Sequence, residues 1–195
     1  MKRERHVVFG AILAICAVIG LITSFTLLHE TFEVAKNPSY SPSCNINPLV
    51  NCQSAMSSAQ AEILGIPNPA FGIAAFAALL TFAVLLFTGV KFNRWVWWAA
   101  LLAAIGGFGF AVYLYLTSVL VLGSICPWCF VTWITSTTVF WAVITYITKE
   151  KVLVFPFWLG KVSGFWAKNS GLILAILYAI LFLGLAYRFR DALFV

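Results

Sequence analysis

Hydrophobic and polar positions fall along this chain in long blocks rather than in a short helical or strand-like ripple. Uncharged apolar runs at about residues 7–28, 70–90, 95–123, 126–147 and 171–187 are separated by short basic segments and by one long polar stretch, residues 29–69. Each run is close to the roughly 20 residues an α-helix needs to cross a bilayer core. A helix also satisfies its own backbone hydrogen bonds there, which an open strand cannot do. The pattern therefore predicts an all-α integral membrane protein with five spanning helices.

Composition agrees: 63% of the 195 residues are hydrophobic and 9% are charged, and the mean hydropathy is +1.00. That is far outside the range of an ordinary soluble domain. Lys2-Arg3-Glu4-Arg5 ahead of an apolar run looks at first like a secretory signal. The run is too long for a signal core and no A-x-A-like cleavage site follows it, so the first span reads as a retained anchor.

Charge changes the picture by giving an orientation. With the N-terminus inside, Lys2, Arg3, Arg5, Lys91, Arg94, Lys149, Lys151, Lys161 and Lys168 all fall on the inner side, leaving Lys36, Arg188 and Arg190 outside. The positive-inside rule selects this topology. The net charge of +6 is then the footprint of membrane insertion and calls for no nucleic acid. The expected location is a cell (inner, cytoplasmic) membrane.

That orientation places Cys44, Cys52, Cys126 and Cys129 at the outer face, the oxidising side, and Cys16 in the middle of the first span. Buried free cysteine behaves as a small apolar residue, and Cys16 is expected to do so. Cys126-Pro127-Trp128-Cys129 opens the fourth apolar run. Pro127 suits the first helical position, so both sulfurs sit at a helix N-terminus. The partial positive charge there favours thiolate over thiol, which suits the pair to disulfide exchange.

The stretch 29–69 is long for a connection in a compact protein and is expected to carry function. Its start, His29-Glu30-Thr31-Phe32-Glu33, reads as a polar exit from the membrane, with His29 a solvated interfacial residue or a proton relay. Residues 37–43 are turn-forming. From Cys52 to Leu64 the spacing of Met56, Ala59 and Ile63 predicts a short helix, with Asn51 as cap and Gly65 and Pro67 as stop signals. It is too short to span and is expected to lie in the outer interface as a cap over the bundle.

Asn68 is a candidate N-cap of the second span, with Pro69 in its first turn, or an amide placed to hydrogen-bond a carbonyl ligand. Trp95, Trp97 and Trp98 read as an inner interfacial belt. Gly106, Gly107 and Gly109 are expected to permit close helix approach, and Tyr113 and Tyr115 to pack. Phe155-Pro156-Phe157-Trp158 reads as an inner interfacial segment, and the fifth span carries no reactive residue.

Other uses of four cysteines remain open. A zinc site is one, although structural zinc usually pairs two tight knuckles and seven residues separate Cys44 from Cys52. Haem attachment requires histidine after Cys129, where Phe130 stands. Two static disulfides in a non-enzymatic membrane scaffold are another possibility. An outer pair and an embedded pair also fit a relay of two electrons through mixed disulfides, with a lipid quinone as acceptor in the bilayer.

Cys44 and Cys52, the serines Ser57 and Ser58, the run Asn68-Pro69-Ala70-Phe71-Gly72, and Cys126-Pro127-Trp128-Cys129, in that order, resemble the vitamin K epoxide reductase family, particularly its bacterial branch. The resemblance covers about residues 7–147. It implies a four-helix transmembrane bundle around a quinone (residues 1–147), capped by the cysteine-bearing loop and its short helix. Residues 148–195 then hold an inner interfacial segment and a fifth transmembrane helix.

Residue by residue, the resemblance implies that Cys129 lies nearest the quinone, that Cys126 exchanges with the loop, that Cys52 is its loop partner, and that Cys44 meets an outside redox protein. Asn68 matches a residue that bonds a quinone oxygen, and Ser58 with Ser57 a serine near the active disulfide; Phe71 belongs to the same ligand-facing set. Trp133 stands where animal members have tyrosine, and an indole N–H donates but does not accept.

Several bacterial relatives carry a thioredoxin-like domain after the fifth helix. This chain stops at Val195, so a thioredoxin-fold, DsbA-like donor is expected in trans. The implied activity is a thiol:quinone oxidoreductase supporting disulfide formation, with menaquinone, ubiquinone or phylloquinone as acceptor. The competing expectation is a vitamin K epoxide or quinone reductase of an endoplasmic reticulum membrane. No metal is expected.

Overall fold

The structure, a computed structural model, describes residues 2–37, 39–153 and 156–190, and the side chains of all of these except 2, 3 and 157–159. In chain order the elements are α1 (Lys2–Lys36), α2 (Gln53–Met56), a 3₁₀ turn (Ala59–Ala61), the strand pair β1 (Glu62–Ile63) and β2 (Ile66–Pro67), and α3 (Asn68–Phe87). Then come α4 (Arg94–Leu116), a π turn (Thr117–Leu122), α5 (Pro127–Glu150) and α6 (Phe157–Arg188). Among the described residues, five helices are long and apolar enough to cross a membrane, and the protein is a multi-pass membrane protein. Phe155 of the expected interfacial segment and residues 191–195 lie outside the described residues.

Helix α5 is the centre of the assembly. It packs on α1, α4 and α6, while α3 lies along α1. The backbones of α3 and α4 stay apart, the two helices meeting through side chains at the end where Phe82 reaches Trp97, and a seam runs between them above that. Close approach of α1 and α3 depends on two glycines. A Cβ on Gly20 would come within 2.5 Å of the Phe76 ring, and one on Gly72 within 2.5 Å of the Ser24 hydroxyl. Gly106, Gly107 and Gly109, expected to serve this purpose, have no neighbour within 4 Å of the added atom. They face open space rather than a helix, and Gly107 lines a cavity.

Several boundaries differ from the sequence reading for local reasons. The first helix continues past residue 28 to Lys36, where Glu33 and Lys36 pair at 2.8 Å one turn apart, and the next helix breaker in the sequence is Pro38. The helix expected over residues 52–64 ends at Met56. Leu64 and Gly65 take positive φ values of 54° and 75°, which turns the chain into the β1–β2 hairpin instead. Asn68 does not cap α3; Pro67 holds that position. The fifth helix starts at Phe157 and absorbs the expected interfacial segment, with a kink at Asn169.

At the end of the bundle holding the N-terminus of α1, the core is aromatic and solid. The rings of Phe9 and Tyr146 stack at 4.1 Å and those of Trp97 and Tyr146 at 5.2 Å. Phe82 and Phe92 meet Trp97 edge-on. Trp97 is therefore a core residue, while Trp95 and Trp98 are exposed as a belt requires. Arg5 and Glu150 close this end with an ion pair at 2.7 Å.

Candidate active site

The opposite end begins with how α5 starts. Cys126 takes an extended conformation as N-cap, Pro127 follows at the first helical position, and the Cys129 N–H donates to Cys126 Sγ at 3.3 Å. Cys126 is 2% exposed. A hydrogen bond from the Cys129 thiol, helped by backbone N–H groups of Cys129 and Trp128, holds its thiol below the ordinary range against the opposing effect of burial. Both cysteines are free.

Cys44 and Cys52 form a disulfide with Cα atoms 5.7 Å apart, and both are buried. Their loop is fixed by its own amides and hydroxyls. Asn45 Oδ1 accepts from the Cys52 and Gln53 N–H groups, and Asn47 Oδ1 from those of Leu49 and Val50. Glu30, buried near the end of α1, accepts from the Ser43 hydroxyl at 2.6 Å beside Cys44.

The loop is also tied to the run before α5. Val50 and Ile125 form a parallel bridge in which Ile125 N–H donates to Leu49 O at 2.7 Å and Asn51 N–H to Ile125 O at 3.1 Å. Ser54 and Ser124 bond through their hydroxyls at 2.6 Å. The bridge lies two residues before Cys52 and one before Cys126, so it sets the sulfur pairs side by side. Cys44, Cys52 and Cys126 share one buried cluster with Leu27, and Met56, Trp128 and Cys129 pack on it. The π turn prepares the same approach. Gly123 closes it with a left-handed φ of 64°, and the Ser118 hydroxyl donates to Ser124 O.

Below the sulfurs lies a cavity of about 580 Å³ reaching from Cys126 and Cys129 down to Phe82, Val96 and Val143. Its walls are apolar and its α4 face is small: Ala99, Ala103, Ala104, Gly107 and Ala111 leave a slot along the α3–α4 seam. Two polar atoms on its lining residues are buried without a hydrogen-bond partner, Asn68 Oδ1 and Trp133 Nε1. Leaving such an atom unpaired costs about 1–3 kcal/mol. Asn68 uses its amide N–H on Gln60 O at 2.7 Å, which fixes the carbonyl as the free end. One acceptor and one donor are thus left unpaired on the cavity lining beside a dithiol.

Of the residues singled out from the sequence, Cys126, Cys129, Ser58, Asn68, Phe71 and Trp133 line the cavity. Cys44 and Cys52 sit on the sulfur cluster next to it. Ser57 is exposed, donates to Gln53 O, and is not among the lining residues. Sequence reasoning missed Glu30, read only as part of a polar exit, and the packing role of Trp128. Acidic placement just before a cysteine loop was the available signal for Glu30; the tryptophan gave none beyond its position in the motif.

A disulfide packed beside a dithiol that opens onto an apolar cavity is an arrangement able to carry thiol–disulfide exchange. The vitamin K epoxide reductase family model matches residues 11–144, well over half of the chain, and the protein belongs to that family. No curated protein matches the chain. Membership makes it a membrane oxidoreductase, and the matched range takes in most of α1, the cysteine loop, α3, α4 and most of α5 while leaving α6 outside.

Proposed function

We propose that the protein is a membrane thiol:quinone oxidoreductase that draws electrons from a reduced thioredoxin-fold protein and so supports disulfide formation. In this reading residues 1–147 form the catalytic bundle, residues 148–195 a flanking unit, and the cysteine end faces the outside of a cell membrane. The observation that carries it is the packing of the Cys44–Cys52 disulfide on free Cys126 and Cys129.

The relay balances one bond broken for each bond formed. A thiolate of the donor attacks Cys44 Sγ and Cys52 leaves as thiolate; the second donor thiol then resolves the mixed disulfide, and the donor departs oxidised. Cys52 attacks Cys126 of an inner disulfide, releasing the Cys129 thiolate. Cys44 closes on Cys52 and frees Cys126. The state in the structure, outer pair oxidised and inner pair reduced, is the one reached when two electrons have moved inward.

The Cys126 and Cys129 dithiol would then close to the inner disulfide, giving up two electrons and two protons, and a lipid quinone held beside Cys129 would be the acceptor for them. Asn68 Oδ1 would accept from a hydroxyl of the reduced ring and Trp133 Nε1 would donate to a carbonyl; what supports this is that both atoms are buried without a partner on residues lining the cavity. The apolar slot on α4 suits a prenyl tail, and the seam with α3 lets it lie against lipid. Ser58, with its hydroxyl on Ala55 O, and Phe71 complete the upper wall.

The test is anaerobic quinol formation by the purified protein with a reduced thioredoxin-fold donor, repeated for each cysteine variant and with a quinone epoxide in place of the quinone. Stoichiometric donor oxidation and quinol formation, lost in each of the four cysteine variants, is expected. Donor oxidation without quinol, or turnover of the epoxide alone, would overturn the assignment.

A further inference from the structure

Helix α6 lies outside the family match and holds no reactive side chain, yet it is bonded to the bundle through polar groups at successive heights. The indole of Trp166 donates to the Thr145 hydroxyl and that of Trp141 to Ser170 O. The Tyr178 and Thr138 hydroxyls share a bond of 2.6 Å. These hold the lower half in register. A simple lipid anchor does not need them.

Its upper half reaches the site. Tyr115, near the end of α4, donates through its hydroxyl to Leu181 O at 3.2 Å. That approach exists because position 184 is glycine: a Cβ there would collide with the tyrosine oxygen. The Tyr115 ring stands edge-on to Trp133 at 5.2 Å. Leu181, Ala111 and Trp133 share a buried cluster on which Cys129 and Phe130 pack. A second grip runs from Phe182 to Phe130, edge-on at 5.6 Å, beside Cys129 in the chain. Higher still, Arg188 Nε donates to Val119 O in the π turn that leads to Cys126.

We infer that the upper half of α6 is a backboard for the cavity, with Gly184 and Tyr115 as positioning residues that set where the Trp133 indole stands. A glycine notch admits the tyrosine, the tyrosine edge fixes the indole plane, and the indole carries the free N–H at the cavity wall. This inference rests on the quinone reading above, and it assigns to a helix without chemistry the control of how well the ring is held.

The experiment uses the full chain in detergent with menaquinone-4 as probe. Affinity is read from quenching of tryptophan fluorescence, with Trp133→Phe as the control for signal from that indole, and KM and kcat are read from quinol formation. Gly184→Leu should weaken binding and raise KM about tenfold with little change in kcat, and Tyr115→Phe about threefold. Because both act through one contact, the double variant should match Gly184→Leu alone rather than multiply the effects. If Gly184→Leu fails to fold, Tyr115→Phe still tests the idea, since it removes only a hydroxyl.

Unchanged binding in Tyr115→Phe, multiplied effects in the double variant, or a fall in kcat and melting temperature at constant KM would overturn it. A wild-type protein that neither binds nor reduces the probe would instead refute the quinone reading.

Discussion

At one end of this bundle Phe9, Tyr146 and Trp97 stack into a closed aromatic core; at the other, helices of the same apolar composition leave an open chamber under four sulfurs. The closed end pairs its polar groups, with Arg5 on Glu150 and His6 on the Tyr146 hydroxyl. The open end keeps an amide oxygen, one carboxylate oxygen of Glu30 and two indole N–H groups unpaired although buried. Dense packing stabilises a membrane bundle largely through dispersion and close contact. The closed end therefore supplies stability, and the open end can keep unsatisfied groups because stability is secured elsewhere.

Substitution at the two ends should separate these roles. Cys129→Ala at the open end should reduce quinol formation to background while leaving insertion and melting temperature near wild type; turnover within tenfold of wild type would break the contrast. Trp97→Ala at the closed end should do the reverse, costing about 3–5 kcal/mol of stability with turnover per folded molecule retained.

Asn68→Ala removes the free acceptor at the cavity head and should raise the quinone KM about tenfold, measured at saturating thiol donor. An unchanged KM would detach the amide from the ligand. A smaller effect concerns pH. Because the Cys126 thiol lies below the ordinary range, it is thiolate at pH values where an unfolded thiol still holds its proton. Its contribution to the reduced protein is present above the ordinary thiol range and is lost as pH falls through the lowered value. Alkylation of Cys126 with iodoacetamide across pH should show this early midpoint, and Cys129→Ala should move it upward by removing the first cause of the shift. Smallest of all, Cys16→Ala should leave turnover within about twofold, since that sulfur is buried in α1 away from both pairs.

How much of this was legible depends on range. Helix positions followed from uninterrupted apolar runs, and the start of α5 from the Cys-Pro pair, because those signals are local. The resemblance brought Cys44, Cys52, Cys126 and Cys129 together before any geometry was known. What the sequence hid were properties of pairs far apart. Gly20 and Gly72 look no different from Gly106 and Gly107, and only the partner across the gap tells a packing glycine from one facing a cavity. The Val50–Ile125 bridge joins two stretches without strand pattern. The hairpin after α2 defeated a helical spacing because two positive φ values at Leu64 and Gly65 outweighed weak periodicity. Tyr115, read as packing, does pack, but its hydroxyl contact with α6 needs a glycine 69 positions away.

The thin contact between α3 and α4 has an outcome for how this protein meets its surroundings. On the quinone reading proposed above, a ligand passing between these two helices would arrive by diffusion in a sheet rather than in a volume. What governs its supply is then the number of such molecules per lipid, and diluting the suspending water around a vesicle leaves that supply untouched.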